Sequence, residues 1–265
     1  MGPIQRFALG ATAALAGLIV PGCSGAEETE AGLSVEQVIA RHIDAIGGGD
    51  AIDAIRNIHI QPEIVEPEFT LVGDYRATRE GRMRVDVFIA GERVFSEGID
   101  GDGGWQQNGE GADFTDTSPL ARAALERGID FNLFGLHDLA ARGHRASLFG
   151  REEIDGVDYY VIHVAMAEGF ERFYYINPGT WMIERHREIS ALHPDIDSEE
   201  RPAETIESNF QEFCGVLRPT ETRKIDRETG DEIQRSRAFL IECNLDPDNL
   251  HIGRNEPVAA PVNAN

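Results

Sequence analysis

The sequence predicts a mostly β, α+β fold in which one large antiparallel sheet curls around a few helices. Most of the chain from Asn57 to Cys243 alternates apolar and polar residues with a period of two, which is typical of strands. Glycine-, proline- and asparagine-containing turns separate these segments. Apolar residues recur at helical spacing only near the start of the chain and in one central stretch.

The first 22 residues predict export. An uncharged run from Phe7 to Val20 follows the weakly positive start at Arg6, and it is too short for a permanent membrane span. The residues before Cys23 are Val20-Pro-Gly22, which is the pattern that lipoprotein signal peptidase cuts. We therefore predict a signal peptide over 1–22 and acylation of Cys23, with chains such as palmitate. The alternative is a plain secretory signal with a coincidental cysteine.

This start also predicts the compartment, a bacterial envelope with the folded part facing the periplasm. Ser24, rather than Asp, follows the cysteine and does not suggest retention in an inner membrane, so the outer membrane is favoured. Residues 23–32 are acidic and small, which predicts a flexible tether. The predicted domain covers 33–256, and 257–265 is expected to be a frayed tail.

The predicted domain opens with a helix. Ser34 and Gln37 form a capping-box pattern, and an apolar stripe follows at helical spacing until Gly47-Gly48-Gly49 ends it. Asp50 can cap a second short turn. The central stretch from Ser118 to about Ala141 predicts two further short helices, separated near Gly128.

The strands are predicted on both sides of that central stretch. The first ones present one dry face and one largely wet face, and Gly101–Gly111 is predicted to be a glycine-rich turn containing Trp105. After Arg145 seven more strands follow. Strand 157–166 is apolar on one face and nearly so on the other, so both must be covered. A large sheet curling around inserted helices satisfies this requirement.

Net charge excludes one class of partner. The chain carries −23, and removing residues 1–22 with their single arginine leaves −24. Such a chain has no phosphate-neutralising surface for nucleic acid, and an anionic membrane would repel it. Membrane contact is therefore expected through acyl chains.

The sequence lacks the usual catalytic and metal-binding patterns. It has no Gly-x-Ser-x-Gly elbow and no His-Glu-x-x-His pair. The string Asp100-Gly-Asp102 begins like a calcium loop, but Gly104, Trp105 and Gly111 stand at positions five, six and twelve, where that loop needs other residues. We therefore predict no enzyme activity, no metal and no cofactor.

Two cysteines besides Cys23 remain, and in an oxidising compartment they predict a disulfide between Cys214 and Cys243. If Thr229-Gly230 is a two-residue hairpin turn, Cys243 faces Val216 and lies about 7–8 Å diagonally from Cys214. A three-residue loop, a bulge or a reach from the end of the preceding strand would bring them closer. The alternative is two buried free thiols.

Several segments together resemble the LolA/LolB-like family of periplasmic lipid carriers, which includes the outer-membrane lipoprotein-sorting proteins. The matching segments are His42–Gly48, Ala51–Ile55, Gly104-Trp105, the helices at Pro119, Asp155–Tyr160, Ile176–Thr180, Phe213–Pro219 and the last strand ending at Asn244. The resemblance implies an incomplete β-barrel of about eleven strands, with helices as a plug or lid over a hydrophobic cavity for acyl chains. A soluble sorting carrier of this family is not itself acylated, whereas this chain is predicted to be acylated at Cys23. In this respect the chain departs from the family's pattern.

The expected function is therefore to bind or carry a lipid or a lipoprotein acyl chain. Strand alternation alone selects the candidate ligand-binding residues, which are Phe69, Leu71, Tyr75, Met83, Val85, Val87, Ile89, Tyr160, Ile162, Val164 and Met166. The first alternative is an envelope module that docks a protein partner without a lipid ligand, for which an exposed apolar patch would replace an enclosed pocket. A less favoured alternative is an enzyme of unknown type.

Overall fold

One antiparallel sheet organises the fold. The computed structural model describes residues 32–101 and 103–261, and within them the chain forms thirteen strands and four helices. The helices are α1 (Val35–Ala45), α2 (Gly49–Asp53), α3 (Pro119–Leu133) and α4 (Pro247–Leu250). The strands are β1 (Asn57–Val65), β2 (Thr70–Thr78), β3 (Met83–Ile89), β4 (Glu92–Asp100), β5 (Gly103–Gln107), β6 (Thr115–Asp116), β7 (Arg145–Ile154), β8 (Val157–Ala165), β9 (Glu171–Ile176), β10 (Ile183–Ser190), β11 (Arg201–Phe213), β12 (Val216–Asp226) and β13 (Glu232–Cys243).

The sheet consists of two meanders joined at the centre. Strands β1 and β13 pair at the centre of the sheet. From β1 the strands β2 to β6 follow in order toward one edge, and from β13 the strands β12 to β7 follow in reverse order toward the other edge. The register of that central pair shifts between Gln61 and Pro62, because proline has no N–H to donate to a ladder. In the described residues β6 and β7 stay at opposite edges. The predicted incomplete barrel is confirmed, with thirteen strands rather than about eleven.

One of the two additional strands, β5, lies where we expected a glycine-rich turn, and the other, β6, follows that segment. Trp105 is fully buried in β5 and pairs with Gly98 of β4. A Cβ on Gly98 would lie 2.9 Å from Cζ2 of the indole, so glycine is needed there for close packing. The turn prediction was wrong because glycine in this segment permits a tryptophan to pack against a strand.

The first helix has the predicted ends. Ser34 accepts a hydrogen bond from the Gln37 N–H, and the Gln37 side chain accepts one from the Ser34 N–H. Gly47 follows the helix with φ +127°, and a Cβ there would lie 2.1 Å from the Gly215 carbonyl oxygen. The glycine run therefore ends α1 and lets it approach the turn between β11 and β12.

The central stretch forms one helix, not two. Ser118 caps α3 by accepting from the Ala121 N–H, and Pro119 occupies its first turn. Gly128 continues the helix, with the Tyr75 ring 3.9 Å from where its Cβ would be. The prediction of a break at Gly128 was wrong: the helix runs through this residue to Leu133, and the Tyr75 hydroxyl donates a hydrogen bond to the Gly128 carbonyl oxygen. Residues 134–143 form turns instead of a second helix.

The main core lies on the concave face of the sheet, against α1, α2 and α3. Its fully buried aliphatic side chains come from both meanders and from the helices. They include Val38, Ile55, Ile58, Leu133, Ile162 and Ile176. No helix of the described residues is long and apolar enough to cross a membrane.

The convex face departs from the expected wet surface. Arg84 and Asp86 are at most 1% exposed and form an ion pair. Nη1 of Arg84 donates to the carbonyl oxygens of Gly253 and Glu256, and Val258 packs in the cluster of Val72 and Phe88. The chain after β13 therefore crosses the convex face and covers charged side chains, which alternation alone assigned to water.

The predicted disulfide between Cys214 and Cys243 is present, with the Cα atoms 6.3 Å apart. Cys214 and Gly215 form the two-residue turn between β11 and β12, with φ of 56° and 80°. The assumption of a two-residue turn at Thr229-Gly230 was wrong, because β12 ends at Asp226 and β13 begins at Glu232. The Asp226 carboxylate accepts from the N–H groups of Glu228 and Thr229, which stabilises a wider loop.

Candidate functional site

A cavity of about 580 Å³ lies on the concave face beneath the C-terminal half of α3. This volume is in the range of small-molecule sites. Side chains from both meanders line it, so the cavity exists only where β1 and β13 join them. Its lining includes Ile60, Ile64, Leu71, Tyr75, Val85, Val87, Phe131, Phe134, Arg172, Tyr174, His186, Glu207, Arg218, Thr220, Thr222, Ala238 and Ile241.

One wall of the cavity is apolar, and strand register creates it. Tyr75 of β2 lies opposite Ile60 of β1 and opposite Val85 of β3. Directly opposed residues in antiparallel strands share a face, so these side chains all point into the concavity. Leu71 and Val87 extend the same wall. The wall can contact a hydrocarbon chain without stripping water from polar groups.

The opposite wall carries charge that is mostly paired. Arg172 forms a buried ion pair with Glu188. Burial raises the pKa of Glu188, but the charges of Arg172, His186 and Lys224 and the hydrogen bond from Arg172 together outweigh that effect and hold the pKa at about 2. Nδ1 of His186 lies 3.1 Å from Oε1 of Glu207. Arg172 and Glu188 therefore neutralise each other, and the Glu207 carboxylate has the His186 ring as its neighbour.

Arg218 is the exception on this wall. It has no ion pair within the described residues, and its Nη1 donates one hydrogen bond to the Asn132 carbonyl oxygen at 2.7 Å. Its Nε is buried and has no hydrogen-bond partner there. Burial lowers the pKa of Arg218 to about 10, against an opposing effect of Tyr75. Arg218 therefore stays protonated at neutral pH as a cation that no carboxylate neutralises.

The structure divides the residues that we predicted to bind a ligand into three groups. Those that line the cavity are Leu71, Tyr75, Val85 and Val87. Those packed in the adjoining core are Met83, Ile162, Val164 and Met166, with Tyr160 stacked on Trp181 at its border. The two at strand ends, Phe69 and Ile89, are 43% and 37% exposed.

Sequence reasoning missed the polar wall and its arginine. Val216, Arg218, Thr220 and Thr222 alternate on one face of β12. A strand face with one apolar and three polar residues is typical of a solvent-exposed face. No feature of the sequence therefore indicated that this face of β12 lines a cavity. Apolar lining from β1, including Ile60, could have been found by the alternation that was applied to β2 and β3.

The loop between β10 and β11 bridges distant elements near the start of α3. Nε2 of His193 lies 2.9 Å from Oε2 of Glu97 on β4, and the Asp195 carboxylate accepts from the Ser118 N–H. Burial lowers the pKa of His193, but the hydrogen bond and charge of Glu97 outweigh it, so this pKa is raised. The hydrogen bond from Ser118 lowers the pKa of Asp195.

A second depression, of about 630 Å³, lies at the surface between α3 and the C-terminal end of strand β10. Leu120, Ile189 and Leu192 are among its lining residues and are 74%, 62% and 42% exposed. Ile196 of the adjoining loop is also exposed. This is the exposed apolar patch that the alternative function requires.

One group of possible metal ligands occurs in the part of the chain that the structure describes. Ligand atoms of Asp53, His137 and Asp138 lie within 4.8 Å of one another. Nη1 of Arg79 already lies 3.5 Å from the Asp53 carboxylate, and both aspartates are exposed. We therefore do not propose a metal site at this cluster.

Comparison with known proteins identifies the fold. No protein-family model and no curated protein sequence matches this chain. Among solved structures, a LolA superfamily protein from Nitrosomonas europaea is 15% identical, with a TM-score of 0.54 over 82% of this chain and 96% of its own. A DUF1329 family protein from Desulfovibrio piger is 12% identical, with a TM-score of 0.53 over 83% and 97%.

A third similar structure is a domain from Vibrio parahaemolyticus described as an outer membrane lipoprotein-sorting protein. It is 12% identical, with a TM-score of 0.52 over 80% of this chain and 94% of its own. The chain therefore has the LolA-like fold, and the resemblance inferred from its sequence segments is confirmed at the level of the fold.

Proposed function

We propose that this protein is an envelope lipoprotein that binds a lipid or a lipoprotein acyl chain in its concave cavity, without catalysing a reaction. The observation that carries the proposal is the apolar wall around Ile60, Tyr75 and Val85, which faces an unfilled volume of about 580 Å³. The apolar wall favours contact with a hydrocarbon chain, because water gains few hydrogen bonds beside it.

The fold supports the same conclusion. LolA superfamily and lipoprotein-sorting structures share the curled sheet with this chain. A half-open barrel with a helix across its concavity can admit a chain at its edge without breaking the sheet. Location in a bacterial envelope follows from this proposed role and from the export signal that we predict in residues 1–22.

Lipid content and a blocked cavity test the binding proposal. Protein isolated from membranes should carry extractable lipid in native mass spectrometry, and Val87→Trp should fill the cavity and reduce binding at least tenfold. Val94→Trp is the matched control, because Val94 is 39% exposed and lies outside the cavity lining. A lipid-free cavity, or equal binding by both variants, would contradict the proposal.

Membrane attachment belongs to the proposal through acylation of Cys23, which lies outside the described residues. Cys23→Ala should release the protein into the soluble periplasmic fraction, while Ser24→Ala should leave it attached. The outer membrane is the proposed location, to be checked by density-gradient separation of the two membranes. Continued membrane association of the Cys23→Ala protein would refute this mode of attachment.

The second candidate function is an envelope module that docks a protein partner. The exposed apolar side chains Leu120, Ile189 and Leu192 favour it. It predicts photocross-linking from position 192 to another envelope protein, together with a cavity that carries no lipid. The lipid-binding proposal ranks first because its cavity has an apolar wall built from three adjacent strands on the concave face of the sheet.

A further inference from the structure

We infer that Arg218 binds the anionic group of the ligand, a carboxylate at the end of an acyl chain. The inference rests on the proposed function and narrows its ligand to a fatty-acid-like amphiphile. It follows from which charges around the cavity are paired, which guanidinium atoms are free, and where Arg218 lies relative to the apolar wall.

Arg218 differs from the other cationic side chain on the cavity wall in having no acidic neighbour. The Arg172 guanidinium is neutralised by Glu188, and both of these side chains are at most 10% exposed. Arg218 has no carboxylate within 4 Å among the residues described, although the chain carries a large excess of acidic residues. Arg218 is partly buried, and an unpaired cation that has lost part of its hydration is costly, so an anionic ligand would offset that cost.

The free atoms of Arg218 fit a carboxylate. Its Nη1 is used by the Asn132 carbonyl oxygen, and its Nε is buried without a partner. The edge of a guanidinium formed by Nε and Nη2 carries two parallel N–H groups, and since Nε is buried, the side chain would turn this edge toward the cavity on binding. Two parallel donors match the two oxygens of a carboxylate in a bidentate pair.

Arg218 also lies beside the apolar wall. The Tyr75 hydroxyl donates to the Gly128 carbonyl oxygen of α3, and the Asn132 side chain donates to the same oxygen. Arg218 donates to the Asn132 carbonyl oxygen, so Arg218 and Tyr75 contact one turn of the same helix. A carboxylate at Arg218 would therefore place its hydrocarbon chain near Tyr75, Ile60 and Val85.

Binding of dodecanoate, dodecanol and dodecyl phosphate to the delipidated mature protein tests this inference. We expect dodecanoate to bind at least tenfold more tightly than dodecanol, which is the scale of a charge-assisted hydrogen bond. Arg218→Gln should abolish that difference and leave dodecanol binding unchanged. Arg218→Lys, which keeps the charge but loses the paired donors, should retain part of it. Arg223→Gln is the matched control, because Arg223 is on the same strand and its side chain is 49% exposed.

The outcomes separate the two proposals. If Arg218→Gln still prefers dodecanoate over dodecanol, the arginine assignment is wrong while lipid binding stands. If dodecyl phosphate binds more tightly than dodecanoate in an Arg218-dependent way, the anion site stands but a phosphate lipid replaces the fatty acid. If none of the three amphiphiles binds, the proposed function fails together with this inference. A thermal unfolding curve for each variant establishes that it is folded.

Discussion

Removing the disulfide between Cys214 and Cys243 should lower stability by an amount that the sequence separation predicts. The bond joins the turn between β11 and β12 to the end of β13, and its cysteines are 29 residues apart. In the chain-entropy description, closing a loop of that length restricts the unfolded chain by about 3–4 kcal/mol. For a domain of this size the melting temperature should fall by roughly 6–16 °C.

Urea unfolding of the oxidised protein, the reduced protein and the double variant Cys214→Ala/Cys243→Ala measures this effect. Trp105 is buried and provides the fluorescence signal. The oxidised protein should unfold at the highest urea concentration, and the other two should unfold at similar lower concentrations. Equal midpoints for the oxidised and reduced proteins would refute the reasoning, because the unfolded chain would then gain no freedom from reduction.

Three further perturbations probe the core and its charges. Ile162→Asp should destabilise the fold by several kcal/mol in thermal unfolding, because that position is fully buried. The pKa of His193 is raised by its contact with Glu97. Stabilisation by this contact should therefore be complete below pH 6.5 and be lost as pH rises through the folded-state pKa. Hydrogen exchange of the β10–β11 loop measures this loss. Since the pKa of Glu188 is about 2, its ion pair with Arg172 should stabilise the protein above pH 4.5 and be lost as pH falls toward 2, and Glu188→Gln should cost about 3–5 kcal/mol at neutral pH.

Each of these predictions has a comparison that can contradict it. Ile189→Asp introduces the same carboxylate at a 62% exposed position and should change stability little; equal effects at both positions would mean that residue 162 contacts water. His193→Gln should remove the pH dependence of loop exchange, so an unchanged profile would show that another group causes it. A Glu188→Gln protein with unaltered acid stability would show that the ion pair does not govern unfolding at low pH.

The course of the strands and the first helix was predictable because each depends on nearby residues. The capping pair Ser34 and Gln37 lies within one turn, and the alternation around Tyr75 and Val85 follows directly from backbone geometry. Four of the eleven proposed ligand residues line the cavity, since alternation identifies a face but cannot tell packed core from open space. Ile162 has the same pattern as Val85, yet the first is packed in the main core and the second lies beside a cavity.

By itself the sequence determined the mostly β class, the antiparallel curled sheet, the pairing of Cys214 with Cys243 and the expectation of export, because local periodicity, cysteine number and the N-terminal pattern are properties of short segments. Only the tertiary structure decided that the chain after β13 covers Arg84 and Asp86, that α3 continues through Gly128, and that Arg218 faces a cavity without an acidic partner. These features depend on contacts between residues far apart in sequence, where the burial of a side chain is set by what packs over it and not by its own polarity.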